Sequence, residues 1–383
     1  MTGERIYKRL GDYIKEYSVK NKAGEDIPVY SVTNSQGFCK EYFSKEVASQ
    51  DKTSYKIVPY GYFAFNPSRI NVGSIDWQNK EDKVIVSPLY NVFSVSESIL
   101  QPYLLYFLKS PATIKYIDTI ATGTVRLNLK LSMLKDFVLP IPSISIQRTI
   151  VSELDKINEL LLNKKTQLRD IDALSLSIFY DMFGDPVDNE KRWTIIPLGE
   201  IAEFKNGLNF NKGESGYCYK FLGVSDFLEN KKICSSSLSN INLSEKISDD
   251  YLLQTGDIVF VRSNGSKELV GRNILMEINE PTTYSGFCIR CRITNEEFNS
   301  VFLSYLLKTP SMRPIITNSG RGCNISNLNQ KILCGLPIIH PSLDLQESFA
   351  TRVSAIDNQR MILNQSISDL ETLLASRLQH WFI

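Results

Sequence analysis

Two stretches of the chain carry apolar residues at steps that alternate between three and four positions. The first stripe is Ile150, Leu154, Ile157, Leu161, Leu168, Ile171, Ile178 and Met182, with Lys164 and Ser175 at the two polar places. The second is Phe349, Val353, Ile356, Leu363, Ile367, Leu370, Leu374 and Trp381, with Arg360 and Arg377 at the polar places. Amphipathic helices lying on a globular core would give shorter stripes, whereas a sustained seven-residue repeat is typical of helices that pair. We therefore predict two long helices that form a coiled coil.

The segments that precede these helices are related by an internal duplication. Tyr103–Pro111 matches Phe302–Pro310 at an offset of 199 positions. Three shorter pairs follow the same order: Leu139-Pro-Ile141 with Leu336-Pro-Ile338, Leu10-Gly-Asp-Tyr-Ile14 with Leu198-Gly-Glu-Ile-Ala202, and Gly61-Tyr-Phe-Ala-Phe65 with Gly256-Asp-Ile-Val-Phe260. The chain is thus a block followed by a helix, twice. If the second block folds away from the first, the two helices run antiparallel.

Each block has a mixed pattern of short strands and helices. The predicted strands are Lys56–Tyr60, Lys83–Val86, Asp257–Val261 and Arg290–Ile293, and the predicted helices are Pro102–Lys109 and Val301–Lys308. The predicted fold class is α/β (α+β), with two globular recognition domains separated and joined by two long helices in an antiparallel coiled coil. The predicted domains are residues 1–142, a first helix within 143–186, residues 187–340, and a second helix within 341–383.

Composition indicates a globular protein: 43% of the residues are hydrophobic and 22% are charged. We find no apolar run long enough for a membrane span, and Met1–Arg9 lacks the apolar core of a signal peptide. We therefore expect the protein in the cytoplasm, without a membrane partner.

The net charge of +1 conceals a partition along the chain. Residues 1–142 carry +4 and residues 191–340 carry +3, whereas residues 143–190 carry −4 and residues 341–383 carry −2. Two basic blocks thus alternate with two acidic helices. Although modest on its own, this bias agrees with a polyanionic partner for the blocks.

Signatures of catalysis or metal binding are not found in the sequence. Cys288 and Cys291 form a lone CxxC in a predicted strand, where positions three apart face opposite sides. With only two histidines, no Ser-His-Asp or Cys-His arrangement recurs in both blocks. Nucleotide-binding motifs are absent too, and Asn66-Pro-Ser68 lacks the aromatic residue of an adenine methyltransferase motif. We predict neither a metal nor a cofactor in this chain.

Polar loops at matching places of the two blocks are the candidate binding elements. Arginine and asparagine bond bidentately to guanine and adenine edges, and serine and lysine suit phosphate, although glycine, asparagine and serine also populate solvated turns. The candidate DNA-binding residues of the first block are Asn66, Arg69, Asn71, Thr124, Arg126 and Asn128. Those of the second block are Arg262, Ser263, Asn264, Lys267, Arg272, Arg321, Asn324 and Ser326.

The order of these features resembles the specificity subunits of type I restriction-modification systems. The resemblance covers essentially the whole chain and lies in the following phrases: Leu139-Pro-Ile-Pro142 with Ile146-Gln147, Leu336-Pro-Ile338 with Leu345-Gln346, Phe179–Pro186 with Trp193 and Leu198–Gly207, and Arg262–Gly265 with Gly271-Arg272. The resemblance implies that each block reads one half of a split double-stranded DNA target, while the coiled coil sets the gap.

The same resemblance implies the partners and their cofactors. Two adenine-methyltransferase subunits, which use S-adenosylmethionine, would dock on the helices, and restriction/translocase subunits would bring ATP and Mg. This chain would be a non-catalytic subunit. The alternatives are a specificity subunit of another DNA modification or phage-defence complex, a freestanding methyltransferase or nuclease, and a coiled-coil scaffold that does not bind DNA.

Overall fold

A computed structural model describes residues 6–40, 51–121, 128–209, 216–227, 232–266, 268–318 and 327–383. The chain divides into two compact units. Unit 1 is Met1–Thr166 together with Asn364–Ile383, and unit 2 is Gln167–Leu363. Each unit therefore contains one block and part of each long helix. The four-domain division drawn from the sequence stays a prediction.

The elements of unit 1 follow the predicted mixture. Its strands are β1 (Tyr7–Arg9), β2 (Ile14–Glu16), β3 (Ser31–Thr33), β4 (Gly37–Cys39), β5 (Lys56–Pro59), β6 (Phe63–Phe65), β7 (Ile75–Trp77), β8 (Lys83–Val86), β9 (Asn91–Val95) and β10 (Val138–Pro140). Its helices are α1 (Gln101–Lys109), α2 (Pro111–Ile120), α3 (Leu131–Leu134) and the first part of α4 (Ile144–Phe183).

Unit 2 repeats this succession with additional strands. Its strands are β11 (Thr194–Pro197), β12 (Ala202–Asn206), β13 (Tyr217–Leu222), β14 (Lys232–Cys234), β15 (Ser239–Leu243), β16 (Ile258–Val261), β17 (Asn273–Glu277), β18 (Thr282–Tyr284), β19 (Cys288–Ile293) and β20 (Pro337–His340). Its helices are α5 (Leu198–Ile201), α6 (Ser300–Leu306), α7 (Met312–Asn318), α8 (Gln330–Cys334) and the first part of α9 (Leu343–Phe382). The predicted strands and helices are confirmed, although α6 ends two residues before the predicted Lys308.

Each unit contains its own antiparallel sheet, and the two sheets have the same strand order, so the duplication is also visible in three dimensions. In unit 1 the strand order is β2-β9-β6-β7, and in unit 2 it is β12-β19-β16-β17, extended by β14. The central strands β6 and β16 are entirely buried, because helices cover one face of each sheet and further strands cover the other. Gly61 and Gly256 precede these strands with φ of 83° and 92°, which explains the repeated glycine.

A two-stranded ribbon closes each block next to its long helix. β1 pairs with β10 in unit 1, and β11 pairs with β20 in unit 2. The repeated Leu-Gly dipeptide lies beside this ribbon, where a Cβ on Gly11 would lie 2.8 Å from the Lys135 carbonyl oxygen and one on Gly199 would lie 2.8 Å from the Cys334 Cβ. Glycine is therefore needed for close packing at both places.

A buried glutamine fastens each long helix to its block. The Gln147 Oε1 accepts the Leu100 amide at 2.8 Å, and its Nε2 donates to the carbonyl oxygens of Ser98 (2.8 Å) and Pro142 (2.9 Å). Gln346 repeats the arrangement with the Asn299 amide (2.9 Å) and the carbonyl oxygens of Glu297 (3.0 Å) and Pro341 (2.9 Å). Both side chains are fully buried, so these bonds fix the start of each helix relative to its block.

In unit 1 the first part of α4 packs antiparallel against the last part of α9. Glu153 accepts hydrogen bonds from Arg377 and from the Trp381 indole (3.1 Å), while Lys165, three turns further along α4, contacts Glu371 at 2.7 Å. Residues later in α4 thus contact residues earlier in α9, so the two helices run antiparallel. Arg377, at a polar place of the predicted stripe, thus pairs with a carboxylate of the other helix.

Unit 2 contains the complementary antiparallel contacts of the same two helices. Arg360 contacts Asp172 at 3.3 Å, and near the end of α4 the rings of Phe179 and Phe183 pack on Phe349. The predicted antiparallel pairing is therefore confirmed within each unit. No helix in the described part of the chain is both long and apolar enough to cross a membrane.

The predicted seam is wrong at the far end of both helices. The structure buries Phe179 and Phe183 completely and leaves Ile178 and Met182 only partly buried. In the second helix it likewise buries Leu378 and Phe382, whereas Trp381 is half-buried. The physical reason is that each of these ends packs on helices of a block as well as on the start of the other long helix, which moves the buried face by one residue.

The Glu153–Arg377 pair predicts a small, pH-dependent contribution to stability. The hydrogen bond from Arg377 lowers the pKa of Glu153, so the pair stabilises unit 1 at neutral pH and loses this effect as the carboxylate is protonated. Because the two side chains are 30% and 31% exposed, we expect Glu153→Gln to cost below about 1 kcal/mol at pH 7. Urea unfolding should show the difference from the parent shrinking between about pH 5 and pH 3. A difference that grows on acidification would contradict this role.

Candidate nucleic-acid interface

Asn327 and Leu328 contact the Arg262 loop at the end of the central strand β16. The Arg262 amide donates to the Phe287 carbonyl oxygen at 2.7 Å, and the Leu328 amide donates to the Arg262 carbonyl oxygen at 2.7 Å. Ser263 forms a further antiparallel bridge with Asn327. Asn327 and Leu328 therefore lie directly beside the Arg262 loop, although 66 positions separate Leu328 from Arg262 in the sequence.

Leu129 makes the corresponding contact in unit 1. The Leu129 amide donates to the Pro67 carbonyl oxygen at 3.0 Å, just after the end of β6. Leu129 and Leu328 are 199 positions apart, the offset of the duplication. Asn128 is exposed beside this contact, and Arg69 is exposed in the same loop. In both units a leucine amide thus bonds to the loop that follows the central strand, at the same end of the sheet.

Several predicted site residues hold the loops together with part of their polar groups. The Asn66 Oδ1 accepts the Ser68 amide at 3.0 Å, and the Asn264 Oδ1 accepts the Ser266 amide at 2.9 Å. Arg272 donates from Nε to the Glu268 carbonyl oxygen at 3.2 Å. Asn71 is half-buried in a short 3-10 turn. These side chains shape the loops. The polar atoms that they use for this purpose are less available to a ligand.

Arg69 and Arg262 are the predicted arginines best placed to reach a ligand. Arg69 is exposed and Arg262 is partly exposed. Among the described residues, no side-chain hydrogen bond or ion pair is found for either guanidinium. The predicted residues Thr124, Arg126, Lys267, Arg321, Asn324 and Ser326 lie outside the described residues.

Sequence reasoning missed Arg313, which lies beside the Arg262 loop. Its Nη2 donates to the Glu268 carbonyl oxygen at 2.7 Å, the same oxygen that Arg272 contacts. Burial and the positive charge of Arg272 lower the pKa of Arg313. Two guanidinium groups therefore lie close together, which favours an anionic ligand such as phosphate. Arg313 lies in α7 rather than in a polar loop, and the first block has Ile114 at the matching position, so the duplication gave no signal.

Other basic residues of unit 2 have structural roles. Arg292 binds both carboxylate oxygens of Asp257, at 2.8 and 2.7 Å, and Asp257 is almost fully buried. Arg290 is buried and donates to the Asp250 carbonyl oxygen at 2.8 Å. These two arginines order the sheet, so the positive charge available to a ligand lies mainly in the loops beyond β16.

The CxxC pair does not form a joint site. Cys288 packs in one hydrophobic cluster and Cys291 in another, on opposite faces of β19, as predicted. Burial raises the pKa of Cys288 to about 12 and also raises the pKa of Cys291. Both thiols are therefore held protonated, in surroundings that disfavour metal binding. A search limited to the described ranges finds no group of three residues suited to a metal ion.

The arrangement offers hydrogen-bond donors, acceptors and positive charge along one rim of each block. Arginine, asparagine and serine side chains at strand ends can reach base edges or phosphates. These groups suit the recognition of a polyanion.

Comparison with solved structures supports the fold. The chain resembles a structure described as the structural basis of complex assembly and conformational transition of the type I R-M system, with a TM-score of 0.56, 15% identity and coverage of 98% of this chain and 96% of the other. It also resembles a crystal structure of the S subunit of a type I restriction-modification system from M. genitalium, with a TM-score of 0.55, 16% identity and coverage of 100% and 98%.

The chain is also similar in sequence to specificity subunits of type I restriction enzymes. The StySPI specificity subunit of a type I restriction enzyme from Salmonella potsdam is 26% identical over 307 residues, which are 75% of this chain and 66% of the relative. The EcoKI specificity subunit from Escherichia coli K12 is 23% identical over 311 residues, which are 74% and 65%. The matched region spans slightly less than two thirds of each relative's length.

Both halves of the chain match the same family. The family described as type I restriction modification DNA specificity domain matches residues 9–171 and again residues 190–372. The two matches fall on the two repeats found in the sequence and together cover most of its length. This protein therefore belongs to the type I restriction modification DNA specificity family.

Proposed function

We propose that this chain is the DNA-specificity subunit of a type I restriction-modification complex. In this proposal each block binds one half of a split double-stranded DNA target, and the paired helices set the gap between the halves. The observation that carries it is the repeated loop geometry: Leu129 on Pro67 in unit 1 and Leu328 on Arg262 in unit 2. A protein that reads two half-sites needs two such rims built to one plan.

The proposed partners are two adenine-methyltransferase subunits and restriction/translocase subunits, which assemble with this chain on DNA in the cytoplasm. Exposed apolar side chains on the long helices support docking there; they include Ile146, Leu162, Leu174, Met361 and Ile362. Catalysis belongs to the partners in this proposal, with S-adenosylmethionine in the methyltransferase and ATP and Mg in the restriction subunit.

Co-purification and methylome sequencing test the proposal together. The full chain is expected to co-purify with an adenine methyltransferase, and the pair is expected to methylate a split sequence. Assembly with a different enzyme on a split site would favour the alternative, a specificity subunit of another DNA modification or phage-defence complex. Absence of sequence-specific DNA binding in any assembly would refute the proposal.

Arg262→Ala is expected to weaken recognition of one half-site by about 1–3 kcal/mol, the discrimination that one good base contact provides. The loop backbone should persist, because the Arg262 amide and carbonyl make its interstrand bonds. Fluorescence anisotropy with the methylated target, and with duplexes altered in either half, measures the loss.

The matched control is Arg9→Ala. Arg9 is an exposed arginine paired with Asp136 in the ribbon beside α4 rather than in a polar loop. Co-purification of the methyltransferase should be unchanged in both variants. Equal affinity of parent and Arg262→Ala for the specific duplex would contradict the assigned contact.

A further inference from the structure

Two exposed apolar side chains occupy matching places on the rims of the two units. Leu89 in unit 1 is 79% exposed, and Phe287 in unit 2 is 56% exposed. Single exposed apolar residues are common on protein surfaces. These two differ because each precedes the strand that pairs with the central strand, at the end of the sheet where that central strand leads into a polar loop.

The strand ends define these places. In unit 1 Phe65 of β6 pairs with Asn91 of β9, and both chains turn beyond that pair, so Leu89 lies in the turn before β9 at the end of the sheet where β6 leads into Pro67. In unit 2 Val261 of β16 pairs with Cys288 of β19, so the next pair is Arg262 with Phe287. Pro67 and Arg262 are the residues whose carbonyl oxygens accept the Leu129 and Leu328 amides. Phe287 therefore lies directly across from the Arg262 contact, and Leu89 lies in the turn at the corresponding end of the unit 1 sheet.

The backbone around Phe287 is held firmly. Its carbonyl oxygen accepts the amides of Arg262 (2.7 Å) and Ser263 (3.4 Å), and its own amide donates to the Ser285 Oγ at 3.2 Å. The Gly286 amide beside it donates to the Leu208 carbonyl oxygen at 2.6 Å. The exposed ring is thus presented on a hydrogen-bonded backbone, next to the Arg262 loop.

Leu89 is also presented by a turn. The Tyr90 amide donates to the Ser87 carbonyl oxygen at 3.0 Å, and the Leu89 amide approaches the Ser87 Oγ at 3.5 Å. Tyr90 itself is buried and accepts the Val32 amide through its hydroxyl at 3.4 Å. The buried tyrosine anchors the turn, and the leucine before it points into solvent.

We propose that Leu89 and Phe287 are specificity-determining residues, each contacting the C5 methyl group of a thymine in one half of the DNA target. This inference rests on the proposed function and deepens it. In the major groove the thymine methyl is the apolar feature of the base edges, and it is read by apolar side chains beside polar groups that read neighbouring bases. A wedge inserted between base pairs is the other use of such side chains, but it belongs to the minor groove.

Deoxyuridine substitution tests the contact, because it removes only the methyl group. Duplexes carrying the methylated target are made with each thymine replaced in turn, and the affinity of the full chain with its co-purified methyltransferase is measured by anisotropy. We expect one thymine in each half-site at which the parent loses roughly fourfold in affinity, the effect of one buried methyl group.

The variants assign each methyl to one side chain. Phe287→Ala is expected to bind the thymine duplex about as weakly as the parent binds the deoxyuridine duplex, and to be insensitive to deoxyuridine in its half alone. Leu89→Ala is expected to show the reciprocal pattern in the other half. Ile195→Ala and Val138→Ala, which alter apolar residues 50% and 55% exposed in the closing ribbons, are the matched controls and should behave as the parent.

Each contrary outcome has a distinct meaning. A parent complex that does not prefer its methylated sequence refutes the proposed function itself. A parent that prefers the sequence but binds all deoxyuridine duplexes equally, or a half-site without thymine, overturns the thymine contact alone. Bright 2-aminopurine fluorescence that Phe287→Ala abolishes would identify a wedge and would also overturn it.

Discussion

Gln346→Glu is expected to lower the free energy of unfolding of unit 2 by about 3–5 kcal/mol at pH 7. The Gln346 Nε2 donates to the carbonyl oxygens of Glu297 and Pro341, at 3.0 and 2.9 Å, in a fully buried site. In the glutamate variant a carboxylate oxygen would replace the donating amide group and would face two carbonyl oxygens, which are themselves acceptors. The variant would also bury a negative charge without a partner. The penalty should shrink at low pH, because a protonated carboxyl group can donate one hydrogen bond.

Tryptophan emission can follow each unit separately. The chain contains three tryptophans, of which Trp77 and Trp381 belong to unit 1 and Trp193 to unit 2. In a background with Trp77 and Trp381 replaced by phenylalanine, urea unfolding followed by Trp193 emission reports unit 2. Gln147→Glu, measured with Trp193 replaced instead, should give a similar loss in unit 1, because its three bonds repeat those of Gln346.

Gln359→Glu on α9 is the control for the change in charge. Gln359 is exposed on the same helix, so its substitution should change stability by less than about 0.5 kcal/mol. Gln346→Met, which removes the bonds without adding a charge, should fall between the two. A cost for Gln346→Glu no greater than that for Gln359→Glu would show that the buried glutamines do not fasten the helices.

The duplication allowed the fold to be predicted well from sequence. Segments matched at an offset of 199 positions indicated two blocks of one plan, and the long heptad stripes indicated paired helices. Gln147 and Gln346 stood at that offset too, within the phrases that resemble the specificity family. Their triple hydrogen bonds could not be inferred, because the acceptors Ser98 and Glu297 lie almost 50 positions away in strand-to-helix connections.

The candidate interface was predictable in type but not in detail. Polar loops at matching positions pointed to the ends of β6 and β16, and the structure places Leu129 and Leu328 beside the loops that follow these strands. Arg313 and Phe287 were missed because their positions follow from tertiary contacts. The opposite error occurred with Asn66 and Asn264, whose side-chain oxygens close their own turns. Composition identifies a polar loop but does not show which of its polar groups form hydrogen bonds within the fold.

The end of α4 shows where a sequence repeat stops describing the packing. The heptad pattern placed Ile178 and Met182 in the seam, but an aromatic cluster of Phe179, Phe183, Phe302 and Phe349 occupies the buried face. The Phe183 ring centroid lies 4.7 Å from that of Phe302 in α6 and 5.4 Å from that of Phe349 in α9. The cluster therefore joins the second block to both helices.

Phe183→Ala is accordingly expected to destabilise unit 2 by about 3–5 kcal/mol, the cost of removing a fully buried ring from a packed core. Met182→Ala, at the adjacent and only partly buried position, should cost about 1 kcal/mol. Urea unfolding followed by Trp193 emission and by helical circular dichroism measures both variants. The Trp193 indole donates to the Phe183 carbonyl oxygen at 2.9 Å, a backbone contact that the substitution retains. A larger cost for Met182→Ala than for Phe183→Ala would mean that the heptad register continues to the end of α4 and that the aromatic cluster does not carry the attachment of the second block.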